Sequence, residues 1–531
     1  MISSIEDLKA LELLSRSNYH GVTLTIANGN LAMRFPRDKQ IDQGLIADLK
    51  RHKRELTEFL TNLKEGPQGT PLQSVVAHDG DLLYPVSAVQ LYWLDDEIDR
   101  RYKLAEPRHG SIYITYEVRG NFNPEMFKRA IGFLCHRHEG LRSNFHFIDG
   151  RYYMKVEDVT LRKYEVETMD VSVNPADQDE TDRFIMFENH TFDLGKGPLF
   201  IVRILKIATD RFVVSIKVHH VVFDTWSEKI LIRDLLAAYQ AFLVDRVPQL
   251  PQLKYQMKDY MSMMNLAAEQ YFDHYQQYWK RLVKDPVKMV LPGSADVSPK
   301  RDIAERMSNT RKFALSKERI EPLQAFARDY SVSLFVILQA AFKAFLFRTT
   351  GQKDFLIGTY IFGREHIGTE DQIGCYAKTV LIRTILDPLD RFHDVIVKVA
   401  ESNNEMRNYN IQPLQGAFER MKYQEENIVG SSWNVNILFN DTYHGYLAEE
   451  DSGSPLIRNL ELDFTTVLQV FPSYMVIDLQ LNFMKSDKTL DLFVQFDTSA
   501  FTTAAVTELI GKYFEFIDIV TRRKNARLCD L

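Results

Sequence analysis

The stretch RFVVSIKVHHVVFDTWSEKILIRDLLAAYQAFL, residues 211–243, changes its hydrophobic period half-way. Val214, Ile216, Val218 and His220 alternate with Val213, Ser215, Lys217 and His219, the period of two that marks a strand. Further on, Ile230, Leu231, Leu235, Tyr239 and Phe242 recur at helical spacing. The same exchange of periods recurs along the chain. HGSIYITYEVRG, KFALS, DFLIGTYIFG, KTVLIRTIL and SYMVIDLQLNFMKSDKTLDLFVQFDTS read as strand segments. NPEMFKRAIGFLCHRHEGLRSNF reads as a helix entering a strand, and SVSLFVILQAAFKAFLFRTTG and TTAAVTELIGKYFEFIDIVTRR read as helices. Interleaved strands and helices with antiparallel runs imply an α/β or α+β fold in two lobes.

The chain has 531 residues, too many for one ordinary core. Hydrophobic residues make up 45% and charged residues 26%, a globular balance, and the net charge of -7 argues against nucleic acid as the main partner. No apolar stretch approaches the roughly 20 residues that span a bilayer. The start MISSIEDLKALELLSRSNYHG has no basic region before an apolar run, so no secretory signal is read. Cys135, Cys375 and Cys529 are far apart and fit free thiols in a reducing cytoplasm. There is no GxSxG elbow, no GxxxxGK[ST] phosphate loop and no HExxH zinc helix.

Residues 1–63 read as a separate module. Ile5, Leu8, Leu11, Leu13 and Leu14 are spaced as a helix, with Ser4 as N-cap. Val22, Leu24 and Ile26 alternate before Asn28-Gly29, and Leu31, Met33 and Phe35 follow, a hairpin signal. Leu45, Leu49, Leu56, Leu60 and Leu63 then form one face of a second helix, and KEGPQGTP opens a linker over 64–79. The hairpin either shields a larger domain or captures an extended tail by strand addition.

Neighbouring strand residues face opposite ways, so His219 and His220 cannot share one task. His220 falls with the apolar set, aimed at an interior, and His219 with the more polar one. A lone histidine on an apolar face is more often a hydrogen-bonded core residue than a catalytic one. The chemical reading is a general base at a strand end, with Asp224 capping the next helix. Two adjacent strand histidines do not make a metal site.

HHVVFD matches the HHxxxD signature of chloramphenicol acetyltransferase-like enzymes, and the chain resembles the condensation domains of nonribosomal peptide synthetases more closely. VSAVQLYWL, RHEGLRSNF, TFDLGKGPLF, YQMKDYMSMM, IGTYIFGRE, IGCYAKTVLIR and SSWNVNILFN are similar to that family's other motifs, in the same order, over about residues 80–531. Residues 4–62 resemble the TubC-type docking domains at the front of synthetase subunits.

The resemblance implies two acetyltransferase-like lobes forming a V-shaped pseudo-dimer, here divided as 80–255 and 256–531. A tunnel between them admits a phosphopantetheine arm. No cofactor is held by the chain itself; the substrate is tethered to the phosphopantetheine of a carrier protein. His220 would act on the attacking amine, His219 would order the motif, and Asp224 would pair with Arg364 to brace the loop. Trp226 and Ser227 would pack and start the next helix. By motif position Tyr376, Trp433 and Asn436 would line the tunnel, and Val22, Leu24 and Ile26 would offer an edge to the tail of an upstream subunit. Two residues depart from the pattern: Thr225 replaces the usual Gly, and Lys378 the usual Asn. Lys378 is expected to face solvent. Because the chain ends at NARLCDL, where carrier and adenylation segments normally follow, the expectation is a stand-alone terminal subunit in the cytoplasm. Such a subunit would release a carrier-bound peptidyl or acyl thioester onto a small free amine, with neither nucleic acid nor membrane as partner. The alternatives are an ordinary condensation domain joining two carrier-bound substrates, and a non-catalytic recruitment domain of the same fold.

Overall fold

The computed structural model describes residues 13, 22–27, 30–34, 43–58, 76–78, 81–94, 110–158, 164–172, 178–187, 190–253, 255–270, 272–284, 289–295, 308–364, 368–409, 437–441, 477–485, 489–523 and 525–531. At the front, β1 (Thr23–Ala27) pairs antiparallel with β2 (Asn30–Arg34), and Ala27 stands opposite Asn30, so two residues connect them. Helix α1 (Gln43–Arg51) follows, and helical backbone resumes over 53–58. Leu13, Val22, Leu24, Leu31, Leu45, Leu49 and Leu56 are buried, so the alternating face of the hairpin is covered rather than presented. The helix expected over 4–14 lies outside the described residues except for Leu13, as do the side chain of Ile26 and residues Leu60 and Leu63.

The first lobe runs β3 (Val76–His78), β4 (Asp81–Pro85), α2 (Ala88–Leu94), β5 (Ser111–Arg119), α3 (Pro124–Arg137), β6 (Ser143–Ile148), β7 (Arg151–Val156), β8 (Glu165–Asp170), α4 (Gln178–Ile185), β9 (Phe200–Ala208), β10 (Arg211–His219) and α5 (Thr225–Leu243). Its strands make two four-stranded sheets, ordered β3-β4-β7-β6 and β5-β10-β9-β8. Side-chain caps start the helices. Asn123 Oδ1 accepts the amides of Glu125 and Met126 ahead of Pro124 in α3, and Asp224 Oδ1 accepts that of Ser227 in α5. Strand β10 lies between β5 and β9, antiparallel to both, so its end emerges at the middle of the sheet. Phe212, Val214, Ile216 and Val218 pack with Ile131 and Leu134 of α3 and with Ile230, Leu231 and Leu235 of α5.

Helices α6 (Met257–Gln270) and α7 (Phe272–Leu282) connect to the second lobe. That lobe holds β11 (Ser308–Leu315), α8 (Lys317–Asp329), α9 (Leu334–Thr350), β12 (Asp354–Ile361), β13 (Lys378–Ile385), α10 (Phe392–Asn408), β14 (Ile437–Asp441), β15 (Leu479–Lys485), β16 (Leu490–Asp497) and α11 (Thr503–Arg522). The six strands make one sheet, β11-β16-β15-β14-β12-β13. Helix α9 is capped by Ser333, ends at Gly351 with φ of 71°, and is buried continuously from Val336 to Phe347. Met257, Tyr260, Met261, Tyr275 and Trp279 belong to the first core, together with Leu356, Ile373, Tyr376 and Leu381. The second core begins at Met289, so packing changes lobe after Leu282, past the 255/256 division drawn from sequence. Among the described residues no single helix is long and apolar enough to cross a membrane.

Candidate active site

Strand β10 stops at His219, and His220 opens a short 3-10 turn through Val222. The strand alternation therefore ends one residue early, at His219. The polar face is also covered: Ser215, Lys217 and His219 are all buried. Lys217 spends its ammonium on the carbonyl of His190 between the rings of Tyr113 and Phe192, and burial, with Arg203 nearby, lowers its pKa to about 8. His219 Nδ1 accepts the amide N–H of Val221 at 3.1 Å, and its ring meets Phe192 edge-on. That bond folds the turn back on the strand.

His220 is held differently. Its amide donates to the carbonyl of Gly110, at the start of β5, and its carbonyl accepts the amide of Phe223. The imidazole stacks on Trp93, with centroids 4.3 Å apart and planes 14° apart. Its Nδ1 is buried without a hydrogen-bond partner among the described residues. Burial lowers the histidine's pKa, opposed by backbone hydrogen bonding and the charge of Asp224, so the ring is neutral at neutral pH.

Asp224 is fully buried and saturated. Its Oδ1 accepts from the Ser227 amide (2.8 Å), the Ser227 hydroxyl (2.7 Å) and Arg364 Nη2 (2.8 Å). Its Oδ2 accepts from the amides of Tyr376 (3.0 Å) and Ala377 (3.1 Å). Arg364 also donates from Nη1 to the carbonyls of Thr369 and Gln372, each at 2.6 Å, and its guanidinium lies 4.2 Å from the Tyr376 ring. Ser227 Oγ accepts the Gly374 amide at 3.0 Å, and Trp226 Nε1 donates to the Glu370 carbonyl at 3.1 Å. Asp224, Trp226, Ser227, Arg364 and Tyr376 thus form one clamp that joins the start of α5 to the loop between β12 and β13. With no lone pair left open, Asp224 orders the turn and has nothing to give a reacting proton.

Two glycines permit close approaches, one in the clamp and one beside the histidines. Gly363 has φ of 65°, and a Cβ there would fall 2.1 Å from the Tyr376 carbonyl oxygen. A Cβ on Gly110 would lie 3.0 Å from both His219 Cε1 and Trp93 Cε3.

Tyr376 is buried and its hydroxyl bonds to Gln372; burial pushes the phenol pKa far up. Trp433 and Asn436 lie outside the described residues. Thr225 is the first residue of α5 and half-buried. Lys378 corrects the expectation of a solvent-facing lysine: it is 5% exposed, and its Cε would lie 3.5 Å from a Cβ on Gly363. A long apolar stem can run inward along the clamp, a possibility that the rarity of buried lysines had hidden.

Three residues at the site were not singled out in the sequence. Gln90 and Ser87 form a reciprocal cap at the start of α2, Ser87 Oγ accepting the Gln90 amide (3.1 Å) and Gln90 Oε1 the Ser87 amide (3.0 Å). Gln90 Nε2 then donates to the Val221 carbonyl at 3.2 Å, tying α2 to the histidine turn. Trp93 is one turn further on. The S-x-x-Q spacing inside VSAVQLYWL announced that helix start; nothing in the sequence announced what the helix would touch.

The condensation-domain family model matches residues 84–530. The chain belongs to the condensation-domain family. Tyrocidine synthase 3 of Brevibacillus parabrevis is 25% identical over 484 residues, 90% of this chain but 7% of that much longer protein. In solved structures, the X-domain from teicoplanin biosynthesis superposes with a TM-score of 0.69 at 19% identity, covering 87% of this chain and 99% of that one. The first condensation domain of the calcium-dependent antibiotic synthetase, in complex with a substrate analogue, gives 0.64 at 17% identity, covering 85% and 99%. These neighbours share the mixed α+β fold of this condensation domain.

Proposed function

We propose that this condensation domain forms an amide bond in nonribosomal peptide synthesis, joining an acyl or peptidyl thioester carried on a phosphopantetheine arm to an amine. The observation that carries the reading is the contrast within HHVVFD: Asp224 is saturated, whereas His220 is neutral and its buried Nδ1 has no hydrogen-bond partner among the described residues. The amine nitrogen attacks the thioester carbon, the C–N bond forms and the C–S bond breaks. The proton lost by the nitrogen passes to His220, and the imidazolium returns it to the departing thiolate, which leaves as a thiol while the ring becomes neutral again. A thioester is already activated, so a neutral base and correct placement supply most of what the step requires, placement contributing up to roughly 7–11 kcal/mol in favourable cases.

In the finer reading, the amine is free in solution and the product is released. The β1–β2 hairpin, a two-stranded sheet among the described residues, would receive the C-terminal tail of the upstream synthetase subunit along a strand edge. Its buried apolar face supports that arrangement, since the backbone edge, not the side chains, would make the contact.

The test supplies a peptidyl thioester on a carrier protein with a panel of free amines, in parallel with a second carrier bearing an aminoacyl group. His220→Ala runs beside wild type. Loss of amide in the variant by about 10²–10⁴-fold supports the reading. Product only with the loaded second carrier assigns an ordinary condensation domain. Unchanged product in His220→Ala removes the base from the mechanism.

A further inference from the structure

Trp93 covers a face of the His220 ring, yet the acid–base chemistry above makes no use of it. Its place is fixed from several sides. Helix α2 is capped by Ser87 and Gln90 and bonded through Gln90 to the histidine turn. The Trp93 side chain hydrogen-bonds to the buried thiol of Cys375, in the loop that carries the Asp224 clamp. Gly110 leaves room for the indole beside His219, and the Gly110 carbonyl holds the His220 amide. The indole plane, 14° from that of the imidazole at 4.3 Å, is thereby presented by two elements of one lobe and one loop of the other.

We propose that Trp93 is a positioning residue for His220, its indole fixing the rotation of the imidazole and keeping water from one face so that the ring stays neutral and ready for the incoming amine. The inference rests on the reading of His220 as the proton acceptor. Two effects of the indole oppose one another. Its π face favours an imidazolium, by an amount usually small. Its bulk excludes water, which disfavours the charged ring and reaches several pH units for fully buried groups. Burial is the largest cause acting on His220, so exclusion of water prevails.

The experiment uses the full chain with histidine Cε1 labelled with carbon-13. The His220 resonance is assigned by its disappearance in His220→Gln. Trp93→Ala is expected to move the His220 titration midpoint upward by about one pH unit. The same variant should lower kcat for amide formation about 10–100-fold while KM for the donor carrier is unchanged. Trp93→Phe, which keeps an aromatic face, is expected to restore most of both. A midpoint that stays in place in a folded Trp93→Ala protein overturns the proposal, and so does a Trp93→Phe variant as impaired as Trp93→Ala. The titration needs no turnover. If wild type makes no amide from any acceptor, the functional reading fails while the titration still decides whether Trp93 governs the ring.

Discussion

Arg364 and Lys343 are both cations buried in the second lobe, and they are treated in opposite ways. Arg364 meets a carboxylate at 2.8 Å, two carbonyls and an aromatic face. Lys343, at the centre of α9, donates to the hydroxyl of Thr384 at 2.7 Å, and burial lowers its pKa to about 7. A charge stays charged in the interior when its hydrogen bonds and a counter-ion are supplied, and gives up its proton when they are not. The first arrangement joins two lobes beside the histidine turn; the second leaves an amine about half-protonated at pH 7 in an apolar core.

Breaking the saturated side should have the largest effect. Asp224→Asn keeps the shape but leaves the Arg364 charge buried without a counter-ion, at a cost of about 3–5 kcal/mol. The midpoint of urea unfolding should fall accordingly and amide formation with it; an unchanged midpoint would show that the carbonyls alone satisfy Arg364.

Relieving the unsaturated side should move stability the other way. The folded pKa of Lys343 lies below its ordinary value of 10.5, so between pH 7 and 10 the unfolded chain binds more protons. Stability should rise through that window by up to about 1.4 kcal/mol per pH unit, and flatten below it where both states are protonated. Lys343→Met removes that slope and should add roughly 2–4 kcal/mol at pH 7, as measured by thermal and urea unfolding across the window. A steep slope that persists in the variant would place its origin in another group. The smallest effect is expected at the rim of the clamp: Trp226→Phe loses the bond to the Glu370 carbonyl and should cost about 1 kcal/mol, leaving kcat nearly intact.

The same contrast explains what could be read from residues alone. Strand β10, helix α5 and its Asp224 cap are local, so period and cap signals defined them within about three residues. The turn at His220 broke the alternation because a side-chain acceptor one residue earlier, His219 Nδ1, captured the Val221 amide. Lys378 was misjudged because its burial rests on neighbours distant in the chain, among them Gly363, fifteen positions back. Trp93 was quoted inside a motif but not recognised as a neighbour of His220, since the two are 127 positions apart until α2 and the turn are brought together. Contacts of that range leave no periodic trace.

The clamp on Asp224 also orders events in time. The carboxylate and the guanidinium that closes on it are 140 positions apart, and the Tyr376 amide is 152 away. During synthesis both histidines leave the ribosome well before the loop that braces them, and a chain halted in between holds HHVVFD without its lock. The histidine turn therefore matures late, as a long-range closure, and takes its braced form only when the second half of the chain has arrived.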